Sequence, residues 1–199
     1  FTLLAGGHDG GATFGAAAGD IDGDGDIDVV YLNDGPNTVW RTTILGLWPT
    51  GQALGNANSR AGVLVDVDGD GDRVIAVDHL GNVVDGDRLI ALAALQLRAE
   101  GELVADTVVV TVMTNLGFRR AMEQQGIRVV ETAVGDRYVL EALDEGGYAV
   151  GGEQSGHIIY RRLATTGDGL LAGLRVAEHV VTRERPLADL AREVMTSYP

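Results

Sequence analysis

Cysteine is absent from the 199 residues of this chain, which excludes disulfide bonds and thiolate chemistry and favours a reducing compartment. Basic residues are few, since 15 Lys and Arg stand against 29 Asp and Glu, and the net charge of −14 repels nucleic acids and anionic membranes. No apolar run approaches the roughly twenty residues that a membrane-spanning helix needs. We therefore expect neither a nucleic-acid partner nor a membrane partner.

The start of the chain also lacks familiar signals. Residue 1 is Phe rather than Met, and no charged leader precedes an apolar segment, so the sequence shows no signal peptide. We expect a fragment or a processed protein. Its 45% hydrophobic and 22% charged residues are typical of a globular chain that is long enough for one or two buried cores.

The strongest chemical signal is the run DVDGDGDR at Asp66 to Arg73. Carboxylates at alternate positions of a glycine-rich turn can converge on one hard cation, and magnesium or calcium suits such an all-oxygen set better than zinc. The alternative is a solvated Asp/Gly turn. Apolar segments on both sides, Gly62 to Val65 and Val74 to Val77, favour a rigid metal platform between two strands.

A second acidic run, DIDGDGDID at Asp20 to Asp28, has the D-x-D-x-D-G-x-x-D spacing of a calcium loop. An EF-hand is excluded because Tyr31 stands where that loop needs Glu and because Val29 to Leu32 is typical of a strand. The run resembles the calcium loops of FG-GAP repeats, which form integrin-type β-propellers. That resemblance implies a short β-rich segment over residues 1–60 and Ca²⁺ bound by Asp20, Asp22, Asp24 and Asp28.

From Ala61 onward, segments typical of strands and helices alternate with short loops. The predicted strands are Val63 to Val65, Val74 to Val77, Val83-Val84, Asp106 to Met113, Ile127 to Ala133, Tyr148 to Val150 and His157 to Tyr160. The predicted helices are Arg88 to Glu100, Asn115 to Gln125, Asp136 to Glu145, Gly169 to Val181 and Pro186 to Tyr198. This alternation predicts a doubly wound α/β layer, in which ligands bind at the carboxyl ends of the strands, near Arg73, Gly135 and Glu153.

The turn GGEQSGH brackets a carboxylate, a hydroxyl and an imidazole with glycines. Glu153 can accept hydrogen bonds, and Ser155 and His157 can both donate and accept, so the set suits adjacent sugar hydroxyls. A polar hairpin turn would explain the same string equally well.

Six strings, in this order, resemble the α-D-phosphohexomutase family over residues 62–199. They are DGDGDR, VVDGD, TVMTNLG, VGDRYV, GGEQSGH and TTGDG. The resemblance implies a three-layer α/β fold. It also implies that residues 61–84 end a second domain that carries the metal loop, and that residues 85–199 form a third domain that carries the sugar-recognition loop.

The family's chemistry implies roles for individual residues. Asp68, Asp70 and Asp72 would hold Mg²⁺, and Arg73 would pair with phosphate through its planar guanidinium. Glu153 and Ser155 would bind sugar hydroxyls, with His157 near the reacting sugar as a contact or a proton-transfer group. Arg137 lies on a strand-to-helix loop, where it would either contact the substrate or form a surface ion pair.

The strings favour the branch of the family that interconverts glucosamine 6-phosphate and glucosamine 1-phosphate through a phosphoserine. Phosphomannomutases and phosphoglucomutases are the alternative within the family, and a calcium-binding β-propeller module is the alternative outside it. The chain has no TASHNP-like phosphoserine string, and the family's first and fourth domains are missing from it. We expect an enzyme part that is catalytically incomplete alone and cytoplasmic, or extracellular if the propeller interpretation holds.

Overall fold

The structure is a computed structural model. It describes residues 71–199 with their side chains, and it describes the backbone of five earlier strand segments, residues 13–19, 28–33, 38–43, 46–53 and 61–65. The predicted metal ligands Asp68 and Asp70 lie outside the described residues, as do Asp20, Asp22 and Asp24 of the predicted calcium loop. Asp28 is described as the first residue of a strand.

Four strands near the start of the chain form an antiparallel sheet in sequence order: β1 (Thr13–Gly19), β2 (Asp28–Asn33), β3 (Thr38–Thr43) and β4 (Gly46–Ala53). The strand expected at Val29 to Leu32 lies within β2, and this segment is β-rich as predicted. Thr43 ends β3 and pairs with Gly46 at the start of β4, so a tight hairpin joins these two strands.

A second antiparallel sheet flanks the predicted metal loop. It consists of β5 (Ala61–Val65), β6 (Val74–Asp78) and β7 (Val83–Val84), and Val65 pairs directly with Val74. The two ends of the Asp66 to Arg73 run are therefore fixed by adjacent paired strands, as the flanking apolar segments predicted.

The third sheet has the order β11-β10-β8-β9. Its members are β8 (Thr107–Thr111), β9 (Arg128–Thr132), β10 (Val150–Gly152) and β11 (Ile158–Tyr160). Strands β9, β8 and β10 run parallel, whereas β11 is antiparallel to β10. From β8 the chain continues to β9 on one side, and it then returns past β8 to form β10 on the other side. This is the doubly wound connection that the sequence predicted.

Five α-helices accompany this sheet: α1 (Gly86–Ala99), α2 (Leu116–Gln124), α3 (Asp136–Gly146), α4 (Gly169–Arg183) and α5 (Leu187–Val194). Helix α1 begins where Asp85 accepts a hydrogen bond from the Arg88 N–H, and its apolar stripe of Leu89, Leu92 and Leu97 is buried. A calcium propeller would require short strands over this region, so the helices confirm the α/β interpretation. Within the described residues, no helix combines the length and the apolarity that crossing a bilayer requires.

The buried side chains divide into two clusters on opposite faces of the third sheet. Alternate residues of β8 separate them, because Val108 and Val110 join the large cluster with Phe118 of α2, while Val109 joins Val139 and the rest of the small cluster under α3. Helices α1, α2, α4 and α5 therefore cover one face and α3 covers the other. The result is the three-layer α/β/α arrangement expected from the resemblance.

Candidate functional site

The last residues of the predicted metal loop, Gly71 to Arg73, lie beside the GGEQSGH turn. Arg73, the residue before β6, forms an isolated antiparallel bridge with His157. The Val74 N–H donates to the Gly156 carbonyl at 3.1 Å, and the Gly156 backbone takes φ of 95°. A Cβ on Gly156 would lie 2.2 Å from the Val74 carbonyl oxygen, so only glycine permits this approach. The two motifs, 84 positions apart in the chain, thus share one backbone ladder.

The Asp72 carboxylate lies between a cation and an imidazole. Its Oδ1 is 3.4 Å from the Arg73 Nε, and its Oδ2 is 3.6 Å from the His157 Nε2. The side chain of Arg73 is 48% exposed, while that of His157 is only 3% exposed. Arg73 is therefore open to a ligand, and His157 supports Asp72 from the protein interior.

The second ring nitrogen of His157, Nδ1, is buried and has no hydrogen-bond partner among the residues that the structure describes. The ring packs against Gly167, where a Cβ would lie 2.4 Å from Nε2. The sequence predicts His157 in a strand and at the site, but its pattern does not indicate this burial. Nothing in the TTGDG string indicates contact with His157.

The turn after β10 presents Glu153 and Ser155 at the carboxyl end of the sheet. The Glu153 N–H donates to the His157 carbonyl at 2.9 Å, and the Gly156 N–H donates to the Glu153 carbonyl at 3.0 Å, which closes the turn tightly. Ser155 is exposed and Glu153 is half-buried. Their oxygens are available at the surface for hydrogen bonds to hydroxyl groups.

Glu153 also joins this turn to the loop after β9. Its Oε1 accepts a hydrogen bond from the Gly135 N–H at 2.9 Å. Gly135 takes φ of 131° and precedes α3, so a glycine suits the position. Because β8 lies between β9 and β10, the hydrogen bond links two loops across the end of the central strand.

Arg137 lies in the first turn of α3. Its side chain is 80% exposed and pairs with Glu141, with 2.7 Å between Nε and Oε1. The Asp136 carboxylate accepts from the Arg137 N–H at 2.7 Å. Arg137 thus forms a surface ion pair, and its contact with a substrate stays a prediction from the sequence.

The first turn of α1 packs against the GGEQSGH turn. The Gly86 N–H donates to the Gln154 carbonyl at 3.1 Å, and a Cβ there would lie 2.5 Å from the carbonyl oxygens of Glu153 and Gln154. Asp87 is 1% exposed, and its Oδ2 accepts from the Asn115 N–H at 2.8 Å. Burial raises the pKa of Asp87, and the Asn115 hydrogen bond opposes that rise in part.

Within residues 71–199, no group of three or more acidic or histidine side chains could hold a metal ion. Asp72 is the one predicted magnesium ligand with a described side chain, so the three-carboxylate set remains a prediction from the sequence. Its chemistry fits a hard cation, since all three ligands are carboxylates on alternate residues of the loop.

Comparisons with known proteins agree on the nature of this region. A family model described as phosphoglucomutase/phosphomannomutase, alpha/beta/alpha domain III, matches residues 85–198. The phosphoglucosamine mutase of Frankia casuarinae is 58% identical to this chain over 132 residues, which cover 66% of this chain and 29% of that protein. The chain is also similar to the phosphoglucosamine mutase of Geobacillus kaustophilus, with 47% identity over 175 residues, 87% of this chain and 39% of that protein.

The Geobacillus alignment is longer than residues 61–199 and so takes in part of the segment before Ala61. Among solved structures, an Aspergillus fumigatus N-acetylphosphoglucosamine mutase, in complex with GlcNAc-6P and magnesium, has a TM-score of 0.55 and 20% identity. The match covers 69% of this chain and 33% of that one, and at this identity it supports the fold alone. The chain thus spans 29 to 39% of the length of the two bacterial relatives.

Proposed function

This chain belongs to the phosphoglucomutase/phosphomannomutase family, and we propose that it is the part of a phosphoglucosamine mutase that contributes the sugar-binding loop and the metal loop. The proposed reaction of the whole enzyme interconverts glucosamine 6-phosphate and glucosamine 1-phosphate. A phosphoserine donates its phosphoryl group to one sugar oxygen and recovers a phosphoryl group from the other. Support comes from the identity of 58% and 47% to enzymes of that name.

One observation carries the assignment of the sugar loop. Glu153, expected to bind sugar hydroxyls, is fixed by the Gly135 N–H at 2.9 Å while it stays half-buried at the carboxyl end of the sheet. One carboxylate oxygen is thereby held in place, and the group can still accept from a hydroxyl through the other. Ser155, two residues later on the same tight turn, would bind a neighbouring hydroxyl. Positioning of this kind is what a phosphoryl-transfer site requires of its sugar-binding residues.

For the metal loop, we propose Mg²⁺ held by Asp68, Asp70 and Asp72. When bound, the ion would neutralise charge on the transferring phosphoryl group. Arg73, 48% exposed beside Asp72, would donate its paired N–H groups to phosphate oxygens. Because His157 is 2% exposed and faces the Asp72 carboxylate, we assign it to orienting that carboxylate in place of a direct sugar contact.

The residues present do not supply a complete reaction. Phosphoryl transfer needs the phosphoserine, and the serines of this chain are Ser59, Ser155 and Ser197, none of which lies in a TASHNP-like string. We therefore expect no turnover from the 199-residue chain in an assay that couples glucosamine 1-phosphate formation to its next enzyme. Turnover by this chain alone would contradict that expectation. A cytoplasmic location is proposed with the enzyme and rests on the cysteine-free sequence.

Binding of a phosphosugar tests directly whether Glu153 and Ser155 form a sugar-binding loop. We would titrate the ¹⁵N-labelled chain with glucosamine 6-phosphate in magnesium buffer and follow backbone amides by NMR. Shifts at Gly135 and at residues 152–157 are expected, and Glu153→Ala should abolish them. Glu141→Ala removes a carboxylate from the exposed face of α3 and is the matched control, which should bind as the wild type does.

Two further ligands discriminate the alternatives. Tighter binding of mannose 6-phosphate would favour a phosphomannomutase, and equal binding of inorganic phosphate would mean that the sugar is not recognised. No shift near Gly135 with any phosphosugar would contradict the proposed sugar loop. Calcium binding by Asp20, Asp22, Asp24 and Asp28 remains a separate prediction from the sequence.

A further inference from the structure

The segment TTGDG, residues 165–169, leads into the first residue of α4 and contacts two parts of the site at once. We call these residues the α4 turn. The TTGDG string is one of the six that resemble the family, and none of its residues has a role in the proposed function. Its contacts indicate a role at the site.

The first contact is between Gly167 and the imidazole of His157. A Cβ on Gly167 would lie 2.4 Å from Nε2, 2.6 Å from Cδ2 and 2.7 Å from Cε1. Distances this short leave no space for any side chain. The His157 side chain is only 3% exposed, so it has little freedom to move away. The ring edge packed on Gly167 is the one that faces Asp72.

The second contact is between Gly169 and the end of the metal loop. The Gly169 N–H donates to the Gly71 carbonyl at 2.8 Å. A Cβ on Gly169 would lie 2.1 Å from the Arg73 carbonyl oxygen. The backbone of the α4 turn therefore lies directly against the backbone on both sides of Asp72.

Between the two glycines, Asp168 ties the turn to its helix. Its Oδ1 accepts a hydrogen bond from the Leu171 N–H at 2.8 Å, which caps the 15 residues of α4. The buried side of α4, including Ala172, Val176 and Val180, belongs to the large core cluster. The α4 turn thus has a rigid support on one side and the predicted metal ligand on the other.

We propose that Gly167 and Gly169 are positioning residues, and that the α4 turn holds the His157 imidazole and the backbone of Gly71 to Arg73 in the geometry that magnesium binding needs. This inference rests on the proposed metal loop. It adds a structural element that sets the geometry of that loop from outside the DGDGDR string.

The test measures magnesium binding and the state of His157 together. The Cε1–H resonance of His157, identified by its loss in His157→Gln, is followed at one fixed pH while MgCl₂ is added. In the wild type we expect the resonance to shift and saturate, and Asp70→Asn should abolish the shift. In Gly167→Ala we expect the shift to change and the apparent magnesium affinity to fall about tenfold or more, as for other residues that orient metal ligands.

Gly146→Ala is the matched control. There the added Cβ would lie 1.9 Å from the ring of Tyr148, a comparable clash at the far end of α3. It should leave the magnesium affinity and the His157 shift unchanged.

A second pair of variants adds no atoms at the site. Asp168→Ala removes the helix cap and should weaken magnesium binding in the same direction as Gly167→Ala. Asp168→Asn retains a capping oxygen and should restore the binding. This pair decides the question if Gly167→Ala does not fold.

The outcomes separate the two proposals. If the wild-type His157 resonance does not respond to magnesium, the metal loop is refuted and the positioning role with it. If the wild type responds but Gly167→Ala and Asp168→Ala bind magnesium with wild-type affinity, the positioning role alone is overturned.

Discussion

Replacing Glu153 with alanine should release the loop after β9. The Gly135 N–H donates to Glu153 Oε1 at 2.9 Å, and the substitution removes that acceptor. A hydrogen bond to a charged group contributes about 1.5–3 kcal/mol, and the half-buried position of Glu153 favours the lower end of that range. Since about 1.4 kcal/mol corresponds to a factor of ten, the Gly135 amide should exchange with solvent about tenfold faster.

Hydrogen–deuterium exchange followed by NMR measures this amide individually. Glu153→Gln keeps an oxygen acceptor without the charge, so its exchange rate should lie between those of the wild type and Glu153→Ala. Glu141→Ala removes the ion-pair partner of Arg137 in α3, the helix that follows Gly135, and should leave the exchange rate of the Gly135 amide unchanged. An equal Gly135 rate in Glu153→Ala and the wild type would refute the argument that Glu153 joins the two loops.

Three further predictions concern stability. Gly86→Ala places a methyl group 2.5 Å from the carbonyl oxygens of Glu153 and Gln154, so urea unfolding should show a loss of about 1–3 kcal/mol, and an unchanged midpoint would contradict that packing. Because burial raises the pKa of Asp87, the wild type should lose stability relative to Asp87→Asn as the pH rises above the ordinary value of about 3.9, and a constant difference between their melting temperatures would refute this. Burial lowers the pKa of His179, so the wild type should lose stability relative to His179→Gln as the pH falls below about 6.5, and parallel melting curves would count against it.

The sequence predicted best those features whose causes are local. Helix α1 begins beside the Asp-Gly-Asp string because Asp85 caps the Arg88 N–H, a contact that spans three residues. Its buried positions Leu89, Leu92 and Leu97 follow the helical period. The strands that flank the metal loop were also found, because each is a short apolar run next to a turn signal.

Element ends that depend on distant contacts were predicted less well. The last helix was expected to reach Tyr198 but ends at Val194, because Met195 is extended and buried. Beyond it, Tyr198 exchanges backbone hydrogen bonds with the Asn115 side chain, 83 residues earlier. No pattern in the sequence around residue 195 contains that information.

The strand β10 shows the same limitation. The predicted strand, Tyr148 to Val150, shares only Val150 with β10, which begins there and runs through Gly151 and Gly152. Glycines in a sequence usually favour the end of a strand. A Cβ on Gly151 would lie 2.7 Å from the Val109 carbonyl oxygen, so the close approach of β8 requires glycine there. At the site, Asp72 lies beside Arg73 and His157, and the cover of His157 by Gly167 depends on a chain reversal that spacing alone cannot show.

The contact between Tyr198 and Asn115 also determines how residues 85–198 can be connected to other chains. The Asn115 N–H donates to the Asp87 carboxylate, and the Asn115 side-chain amide donates to the Tyr198 carbonyl. Nearby, the Arg88 Nε donates to the Ala191 carbonyl at 3.2 Å. The polypeptide thus enters and leaves this unit at neighbouring points. Units with adjacent ends tolerate circular permutation and insertion into a loop of a host protein, because a short linker can join the ends without distorting either. Residues 85–198 have such adjacent ends.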